Sequence, residues 1–566
     1  MKDQPAYRLT RHFFSGLFDL PFLSEGGIEG LLRTVFGTLA GMVSFALIVV
    51  FRLFMAKYGG LAMASSPEPY RTALLGDEAF LIGVVMLVAA IATTLVSASL
   101  FPDETDFRVL MTLPVTRALV FGAKLAALAL FVALFVATVH LALAPMVLIM
   151  SSGRWAEHGV LAHAVAFWIS SLMASIWACL AVVAANGLLM LATPRARLRA
   201  RAAALRSLIL CGLALAVPLV FRLSDAGAGM SAQAGPIAFA PPVWFVGVVR
   251  VLLGEIDIYF LLLALTGGSA FVAAAAVAAL AYLVLYRRFD QVLVRPVDPP
   301  GRTRRRLSLP LVSSQHAFEA VRAFTSITLA RSPLHQGLWL GLAATGGALV
   351  MNSLLSAGVV GWIGSGAPPT RRLVSDTMWA PLALVFFTTL AARASLVIPV
   401  DKGANWIFRI TESAALRVPQ MQAVEWTLWR LGVAGPLLLL LPLLWKVHGP
   451  SSLVVAAVMG LCGLILVELL LGDWRRIPFS CSYMPGKNVM ALTALTGFVA
   501  FTLFTVVGRG LVWLSLADGP RTVMTLGILG AIAFGLHRQR RSMWTETPLM
   551  FEDELPSVAH PVRLSD

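Results

Sequence analysis

Long apolar blocks separated by short polar or basic segments dominate the hydrophobic pattern of this chain. About 20 apolar residues span the roughly 30 Å hydrocarbon layer as an α-helix, and repeated blocks of that length are typical of a polytopic membrane protein. The pattern therefore predicts an all-α fold with twelve transmembrane helices. Six run from about Arg33 to Met55, Ala79 to Leu100, Leu125 to Met150, His163 to Ala192, Ser207 to Phe221 and Phe260 to Leu285; six more run from about Gly337 to Ile363, Met378 to Pro399, Thr427 to Trp445, Ser452 to Leu471, Val489 to Val507 and Val523 to Leu536.

The segments between the blocks predict two six-helix halves. The composition changes near the centre to a basic, proline-containing run, YRRFDQVLVRPVDPPGRTRRRLSLP, which is typical of a linker. The predicted domains are a first half at residues 1–285, a cytoplasmic linker at 286–310, a second half at 311–536 and a polar cytoplasmic tail at 537–566.

Three further segments are apolar but do not fit a simple membrane span. Residues 9–31 combine apolar and aromatic residues with scattered charge, which predicts a lead-in lying in the membrane interface. Residues 316–335 form a similar lead-in to the second half. The stretch PPVWFVGVVRVLLG, residues 241–254, is too short to span and predicts an interfacial or re-entrant piece on the outer side.

The two halves share a glycine pattern that indicates internal duplication. Gly37 and Gly41 in the first helix match Gly337 and Gly341 in the seventh at a constant offset. A Gly-x-x-x-Gly spacing allows two helices to approach closely, so these two helices are expected to pack through their glycines. A plain small-residue packing face is the alternative.

Composition and charge agree with a membrane protein. The chain has 566 residues, of which 58% are hydrophobic and 13% charged, with a formal net charge of +15. The basic residues lie between apolar blocks, which favours a role in topology and contact with anionic lipid rather than binding of nucleic acid. Inner segments carry roughly three times as many Lys and Arg as outer loops when both termini are cytoplasmic, which favours that orientation.

Sequence motifs for catalysis are missing. The chain has no G-x-x-x-x-G-K-S/T for the phosphates of ATP, no H-E-x-x-H and no G-x-S-x-G. The four cysteines lie in or beside apolar segments without metal or disulfide spacing and are interpreted as small apolar residues. His158 and His163 are interpreted as interfacial histidines rather than metal ligands. The sequence therefore predicts no enzymatic activity, cofactor or metal in this chain.

A few polar residues lie inside the predicted helices. Ionisable groups in a membrane are costly, so they are candidates for a translocation path, with interhelical hydrogen bonding as the alternative. No paired acidic groups are recognisable at mid-membrane. The candidates are His140, Asn186, Asn352, Arg393 and Glu468.

The charged interruption at residues 101–124, FPDETDFRVLMTLPVTRALVFGAK, separates the second and third helices. Pro102 ends one helix, Asp103 or Thr105 can cap a short new helix, and acidic residues favour its positive amino-terminal end. An apolar side formed by residues such as Phe107 and Leu110 follows before Pro114. A short amphipathic helix joined to two membrane helices can transmit movement of a bound partner; an ordinary amphipathic connector is the alternative.

This interruption resembles the cytoplasmic coupling segment of type-2 ABC transporter permeases. In that family an acidic start is followed by an apolar stretch, L-P-x-S/T-R and a lysine near the third helix. The resemblance implies contact with an ATPase for Phe107 and Arg108 as well as for the residues that match the motif. The matching residues are Asp103, Glu104, Leu113, Pro114, Thr116, Arg117 and Lys124.

The equivalent segment of the second half, residues 400–417, departs from that pattern. It keeps Asp401, an aromatic and apolar run and a basic residue but lacks the Leu-Pro signature. The corresponding coupling candidates are Trp406, Phe408 and Arg409.

The resemblance implies a fused, double-length permease subunit of an ABC exporter in a bacterial plasma (inner) membrane. Separate cytoplasmic ATPase subunits would bind ATP in trans. Two other classes remain open: an ion-coupled secondary transporter with twelve helices, and a membrane-embedded lipid- or glycosyl-transferring enzyme.

Overall fold

The chain is an all-α, multi-pass membrane protein. The computed structural model describes residues 5–16, 51–97, 115–192, 198–233, 236–287, 314–398, 408–409, 412–481 and 489–551. These residues are mainly helical and contain no β-strand. Ten of the described segments are long and apolar enough to cross a membrane. The chain divides into two compact units, Met1–Arg302 and Thr303–Asp566, and the division falls within the segment predicted as the linker.

The first unit contains nine described helices. They are α1 (Pro5–Gly16), the described part of α2 (51–62), α3 (Glu68–Val96), α4 (Arg117–Ser151), α5 (Val160–Ala192), α6 (Leu198–Arg222), the short α7 (Gly227–Ser231), α8 (Pro241–Leu252) and α9 (Ile258–Arg287).

Helix α3 forms the centre of the first unit. It begins after Pro67, and Glu68 lies in its first turn, where a carboxylate faces the positive end of the helix dipole. The helix packs against α4, α5, α6 and α8. Most of its residues are buried in the unit, which explains why it is apolar around nearly its whole circumference.

Helix α8 lies in the short apolar stretch predicted to be interfacial or re-entrant. It packs against α5 and α9, and Val243, Phe245, Val246 and Val249 are each 0% exposed. Helices α5 and α9 meet directly at Gly187, where a Cβ atom would lie 2.6 Å from Ala281 Cβ. Helix α8 therefore belongs to the core of this unit.

Three helices of the first unit start clearly earlier than predicted, among them α4, which begins at Arg117 rather than near Leu125. Helix α3 begins at Glu68 rather than near Ala79. Helix α6 begins at Leu198, so most of the arginine-rich segment that was expected to separate two helices is itself helical. The pattern of apolar residues marks only the part of a helix inside the hydrocarbon layer, whereas arginine is itself a good helix former.

The second unit contains ten described helices. They are α10 (Ser314–Arg331), α11 (Pro333–Ser356), α12 (Val359–Ser365), α13 (Arg371–Thr377), α14 (Ala380–Val397), α15 (Ala414–Leu428), α16 (Gly435–His448), α17 (Ser452–Leu470), α18 (Val489–Ser515) and α19 (Gly519–Glu546).

Helix α14 is central in the second unit and packs against α11, α17 and α18. A π-helical turn, Trp429–Ala434, joins α15 to α16. The Thr388 hydroxyl donates to the Gly432 carbonyl at 2.7 Å, and a Cβ atom at Gly432 would collide with Thr389. The glycine therefore permits the close contact between this π-helical turn and α14. In a π-helical turn the hydrogen bonds run from residue i to residue i+5, and such turns are frequent at functional sites.

The candidate span Ala414–Leu470 is 57 residues long and includes a turn at Gly449–Ser451. Gly449 has a φ of +59°, a conformation that glycine adopts at low cost. Helices α16 and α17 pack against each other on either side of this turn. The segment is long enough for two membrane crossings.

Four predicted boundaries in the second unit differ clearly from the structure, and one is the end of the eleventh helix, expected at Val507, since α18 continues to Ser515. The seventh helix was expected to reach Ile363, but α11 ends at Ser356 and Gly358 follows with a φ of +75°. The ninth was expected from Thr427, but helical structure already begins at Ala414. The tail was expected from His537, but α19 continues to Glu546 because its last turns pack into the unit and bury Arg540 and Trp544.

Candidate functional site

The described part of the first coupling segment lies against the amino-terminal helix α1. Thr116 caps α4, its hydroxyl accepting a hydrogen bond from the Leu119 N–H at 3.3 Å. Lys124 is 7% exposed, and its Nζ lies 4.9 Å from the centre of the Phe13 ring. Phe13 also packs with Val120, Ala123 and Ala127 of α4. The side chain of Arg117 lies outside the described part of the chain. Six other predicted coupling residues of this segment also lie outside it: Asp103, Glu104, Phe107, Arg108, Leu113 and Pro114.

The second unit has a similar arrangement. Helix α10 packs against α15, the helix that follows the second charged interruption. The ring of Phe408 lies 5.4 Å from that of Phe324 in α10, while Arg409 is exposed. Trp406 lies outside the described residues. In both units an amphipathic lead-in helix is thus in contact with the start of the membrane helix after the charged segment.

A buried ionic cluster in the first unit, the Glu78 cluster, consists of Glu78, His158, His163, Arg250 and Glu255. Glu78 is 0% exposed, and its Oε1 lies 2.5 Å from Arg250 Nη2 and 2.9 Å from His163 Nε2. Arg250 also pairs with Glu255 at 3.1 Å, and the same Glu255 oxygen lies 2.8 Å from His158 Nε2. Five segments therefore meet at these charges: α3, the loop between α4 and α5, α5, α8 and the loop after α8.

The charges of this cluster stabilise each other. Burial by itself lowers the pKa of Arg250, but the carboxylates of Glu78 and Glu255 raise it by more, so its pKa lies above the ordinary value. Arg250 therefore stays a cation and compensates the buried Glu78 carboxylate. Among the described residues, Glu78 Oε2 and Arg250 Nε have no hydrogen-bond partner. Such unsatisfied buried atoms are costly and are often retained at functional sites.

Asp77 forms a second polar contact beside this cluster. It is 1% exposed and lies 2.8 Å from Lys57 Nζ. It also accepts hydrogen bonds from the Tyr58 hydroxyl at 2.8 Å and from the Ser224 hydroxyl at 2.5 Å. Consecutive acidic residues on α3 are therefore each held by a cation from another segment.

His158 belongs to a group of possible metal ligands that the sequence did not indicate. One ligand atom each from Glu157, His158 and Glu255 lies within 4.8 Å of the others. The two carboxylates already pair with arginines, Glu157 with Arg71 and Glu255 with Arg250. A cation bound here would compete with both guanidinium groups.

The second unit contains another ionic cluster, the Glu468 cluster, formed by Glu425, Glu468, His537 and Arg540. Arg540 is 3% exposed; its Nη2 lies 2.8 Å from Glu425 Oε2 and its Nε 2.7 Å from Glu468 Oε2. His537 Nδ1 lies 3.3 Å from Glu425 and 3.1 Å from Glu468. The guanidinium also stacks over the Trp544 ring at 4.4 Å.

The sequence predicted no paired acidic groups at mid-membrane, and this cluster pairs two acidic residues close to a helix end, since Glu468 lies two residues before the end of α17. Glu425 and Glu468 lie in the same candidate membrane segment, Ala414–Leu470, but on different helices. The partners His537 and Arg540 lie in the region predicted as a polar tail. The pattern of apolar residues does not reveal this site, because α19 continues past its apolar block only through packing against the rest of the unit.

The other polar candidates have separate surroundings. His140 Nδ1 donates to the Val136 carbonyl at 2.8 Å, and its Nε2 lies 3.0 Å from the Ser171 hydroxyl of α5. Asn186 is buried and donates to the carbonyl of Val182 in its own helix at 2.9 Å. Asn352 is exposed.

Arg393 lies close to the end of α17. Its Nε donates to the Leu470 carbonyl at 2.7 Å, and its Nη2 lies 3.5 Å from Asp473. It therefore satisfies a free carbonyl at a helix end. The structure does not group the five polar candidates into one path within the described residues.

The predicted packing of the first and seventh helices through their glycines stays a prediction. A Cβ atom at Gly337 or Gly341 would meet no atom within 4 Å among them. Gly37 and Gly41 lie outside the described part of the chain.

Comparison with family models, curated proteins and solved structures gives no match to this chain.

Proposed function

We propose that this chain is the fused, double-length permease subunit of an ABC exporter, driven by separate cytoplasmic ATPase subunits. One observation carries the proposal: in each unit an amphipathic lead-in helix packs against the beginning of the membrane helix that follows a charged interruption. This repeated contact is what a coupling segment needs, since it links a cytoplasmic surface to a membrane helix. The motif at residues 101–124 supports it.

The contacts in the first unit suit the transmission of movement. Thr116 fixes the start of α4, and the buried Lys124 joins that start to Phe13 of α1. A partner that moves the start of α4 would therefore move α1 with it. In the second unit the packing of α10 against α15 would couple the movement of those two helices.

The count of membrane helices is compatible with two halves of six. Ala414–Leu470 supplies two crossings, and α2 is described only from residue 51 of the predicted first helix. Adding these to the other nine candidate spans gives twelve helices. The distribution of Lys and Arg favours both termini in the cytoplasm of a bacterial plasma membrane.

The test is purification of the tagged protein from its native membrane with measurement of co-purifying ATP hydrolysis. The variant Glu104→Lys/Arg117→Glu reverses two charges of the coupling segment and is expected to lose the ATPase. The matched control Arg71→Glu/Glu157→Arg also reverses two charges, but in an exposed ion pair of the same unit. It is expected to keep the ATPase.

Failure of the folded wild-type protein to bring down ATP hydrolysis would refute the proposal. Equal loss of the ATPase in the two variants would show that the coupling segment has no special role. Folding is checked for every variant by size-exclusion chromatography in detergent.

The Glu468 cluster favours a second candidate, an ion-coupled secondary transporter. Paired carboxylates beside a histidine in membrane helices are the groups such a carrier uses to bind and release a proton. Proteoliposomes with a pH gradient test this idea. Faster dissipation by the wild type than by Glu468→Gln favours the carrier, and equal rates at the level of protein-free liposomes eliminate it.

A further inference from the structure

An open groove of about 580 Å³ lies in the second unit between α13 and α18. It is distinct from both ionic clusters. Its walls carry two arginines, a serine and several apolar or aromatic side chains. The residues used below are Arg371, Ser375, Met378, Val506, Arg509 and Trp513.

The two arginines of this groove have unused charge. Arg509 Nη2 donates to the Ser375 hydroxyl at 2.9 Å. Within the described residues neither Arg371 nor Arg509 pairs with a carboxylate, and both side chains are exposed. The nearby Asp376 pairs with Arg372 instead. Within the described part of the chain, the groove therefore presents two arginines without a carboxylate partner, one of them hydrogen-bonded to a serine hydroxyl.

The position of the groove along the membrane helices determines what can reach it. Arg371 is the first residue of the candidate span Arg371–Val397, and Arg509 lies less than two turns before the end of the span Thr496–Ser515. Both cations thus lie near the level of lipid headgroups, where arginine side chains extend toward the interface. Trp513, 64% exposed, is typical of the same level.

The apolar part of the groove continues from the arginines along the helix surfaces. Val506 is 64% exposed on α18, and Met378 lies on the opposite wall. Val506 lies about one helical turn before Arg509 on α18, and Met378 follows the last residue of α13. A ligand that fills the groove must therefore carry an anionic head and an apolar chain.

We propose that the groove binds an anionic phospholipid, with its phosphate between Arg371 and Arg509 and an acyl chain along Val506 and Met378. Guanidinium groups bind phosphate through paired, charge-assisted hydrogen bonds, and the Ser375 hydroxyl offers one more donor. A zwitterionic lipid fits less well because its own cation would lie near two guanidinium groups. The inference does not depend on the proposed transport function.

Native mass spectrometry of the full-length protein in detergent tests this site. Dioleoyl phosphatidylglycerol and dioleoyl phosphatidylcholine are added in equal amounts, so that only the headgroup differs. The wild type is expected to retain more phosphatidylglycerol than phosphatidylcholine. The variant Arg371→Gln/Arg509→Gln is expected to reduce this preference roughly tenfold, because charge-assisted hydrogen bonds are lost.

The matched control is Arg372→Gln/Arg521→Gln, which removes two neighbouring exposed arginines that already pair with Asp376 and Asp518. It is expected to keep the lipid preference. Equal retention of the two lipids by the wild type, or an equal loss of preference in the two variants, overturns the proposal. Displacement of the lipid by millimolar glycerol 3-phosphate also overturns the proposal, since the groove would then bind a soluble phosphate ester without an acyl chain.

Discussion

Substituting Arg250 with methionine would leave the Glu78 carboxylate, which is 0% exposed, without the guanidinium that lies 2.5 Å from it. Methionine keeps much of the side-chain volume, so the lost charge is the main change. Removal of one partner of a buried ion pair costs about 3–5 kcal/mol, because the remaining charge is left without compensation. The lost contact with Glu255, which is 29% exposed, adds about 0–1 kcal/mol.

We therefore expect Arg250→Met to lower the free energy of unfolding by about 3–6 kcal/mol. Adding Glu78→Gln should recover part of that loss, since a neutral amide is less costly to bury than an unpaired carboxylate. The control is Arg71→Met, which removes a cation from a pair whose partners are 48% and 41% exposed. It should cost about 0–1 kcal/mol.

SDS titration of the purified protein in mixed micelles, followed by tryptophan fluorescence, measures these free energies. A double-mutant cycle on Glu78 and Arg250 should give a coupling energy of at least about 2 kcal/mol. The reasoning is refuted if Arg250→Met costs no more than Arg71→Met. It is also refuted if the two changes at Glu78 and Arg250 simply add, because the carboxylate would then be stable without its partner.

Three more substitutions test other parts of the structure in the same unfolding assay. Gly187→Ala should cost about 1–3 kcal/mol, since its Cβ would lie 2.6 Å from Ala281 Cβ. Gly212 has open space around it, so Gly212→Ala should be neutral or slightly stabilising. Equal effects of the two changes would contradict the close helix contact. Thr116→Ala should cost about 1 kcal/mol through loss of the α4 cap, and Thr116→Ser should keep it; an unchanged stability in the alanine variant would exclude this cap. Arg540→Met should cost about 3–5 kcal/mol because it leaves two carboxylates facing each other; a cost below about 1 kcal/mol would show that the Glu468 cluster is not held together by this cation.

Helix locations could be predicted well from the apolar blocks, but helix ends could not. The block predicted from about His163 to Ala192 agrees with α5, which begins at Val160, and the block beginning at Ser452 agrees with α17. The ends of α19 and α6 were missed because their last or first turns lie outside the apolar layer. There, packing and local hydrogen bonding, rather than hydropathy, decide whether the helix continues.

For the candidate sites too, the sequence indicated some of the charged residues but not their partners. The sequence singled out Glu468 because an acidic residue in an apolar block is costly. It did not indicate Glu78 as a centre of charge, because Glu78 precedes the block predicted as the second helix. It placed His163 at a loop boundary without a partner. In each case the partner lies far along the chain or in a segment assigned to another role.

The sequence by itself determined the class of this protein, because the length and apolar character of a membrane helix are local properties set by the thickness of the bilayer. It also determined the charged interruptions between helices and the asymmetry of basic residues. Only the tertiary structure decided which charges compensate one another. Glu78 meets Arg250 across 172 residues and Glu468 meets Arg540 across 72. Such pairs depend on how helices pack, since a buried charge is stable only where another segment brings its partner.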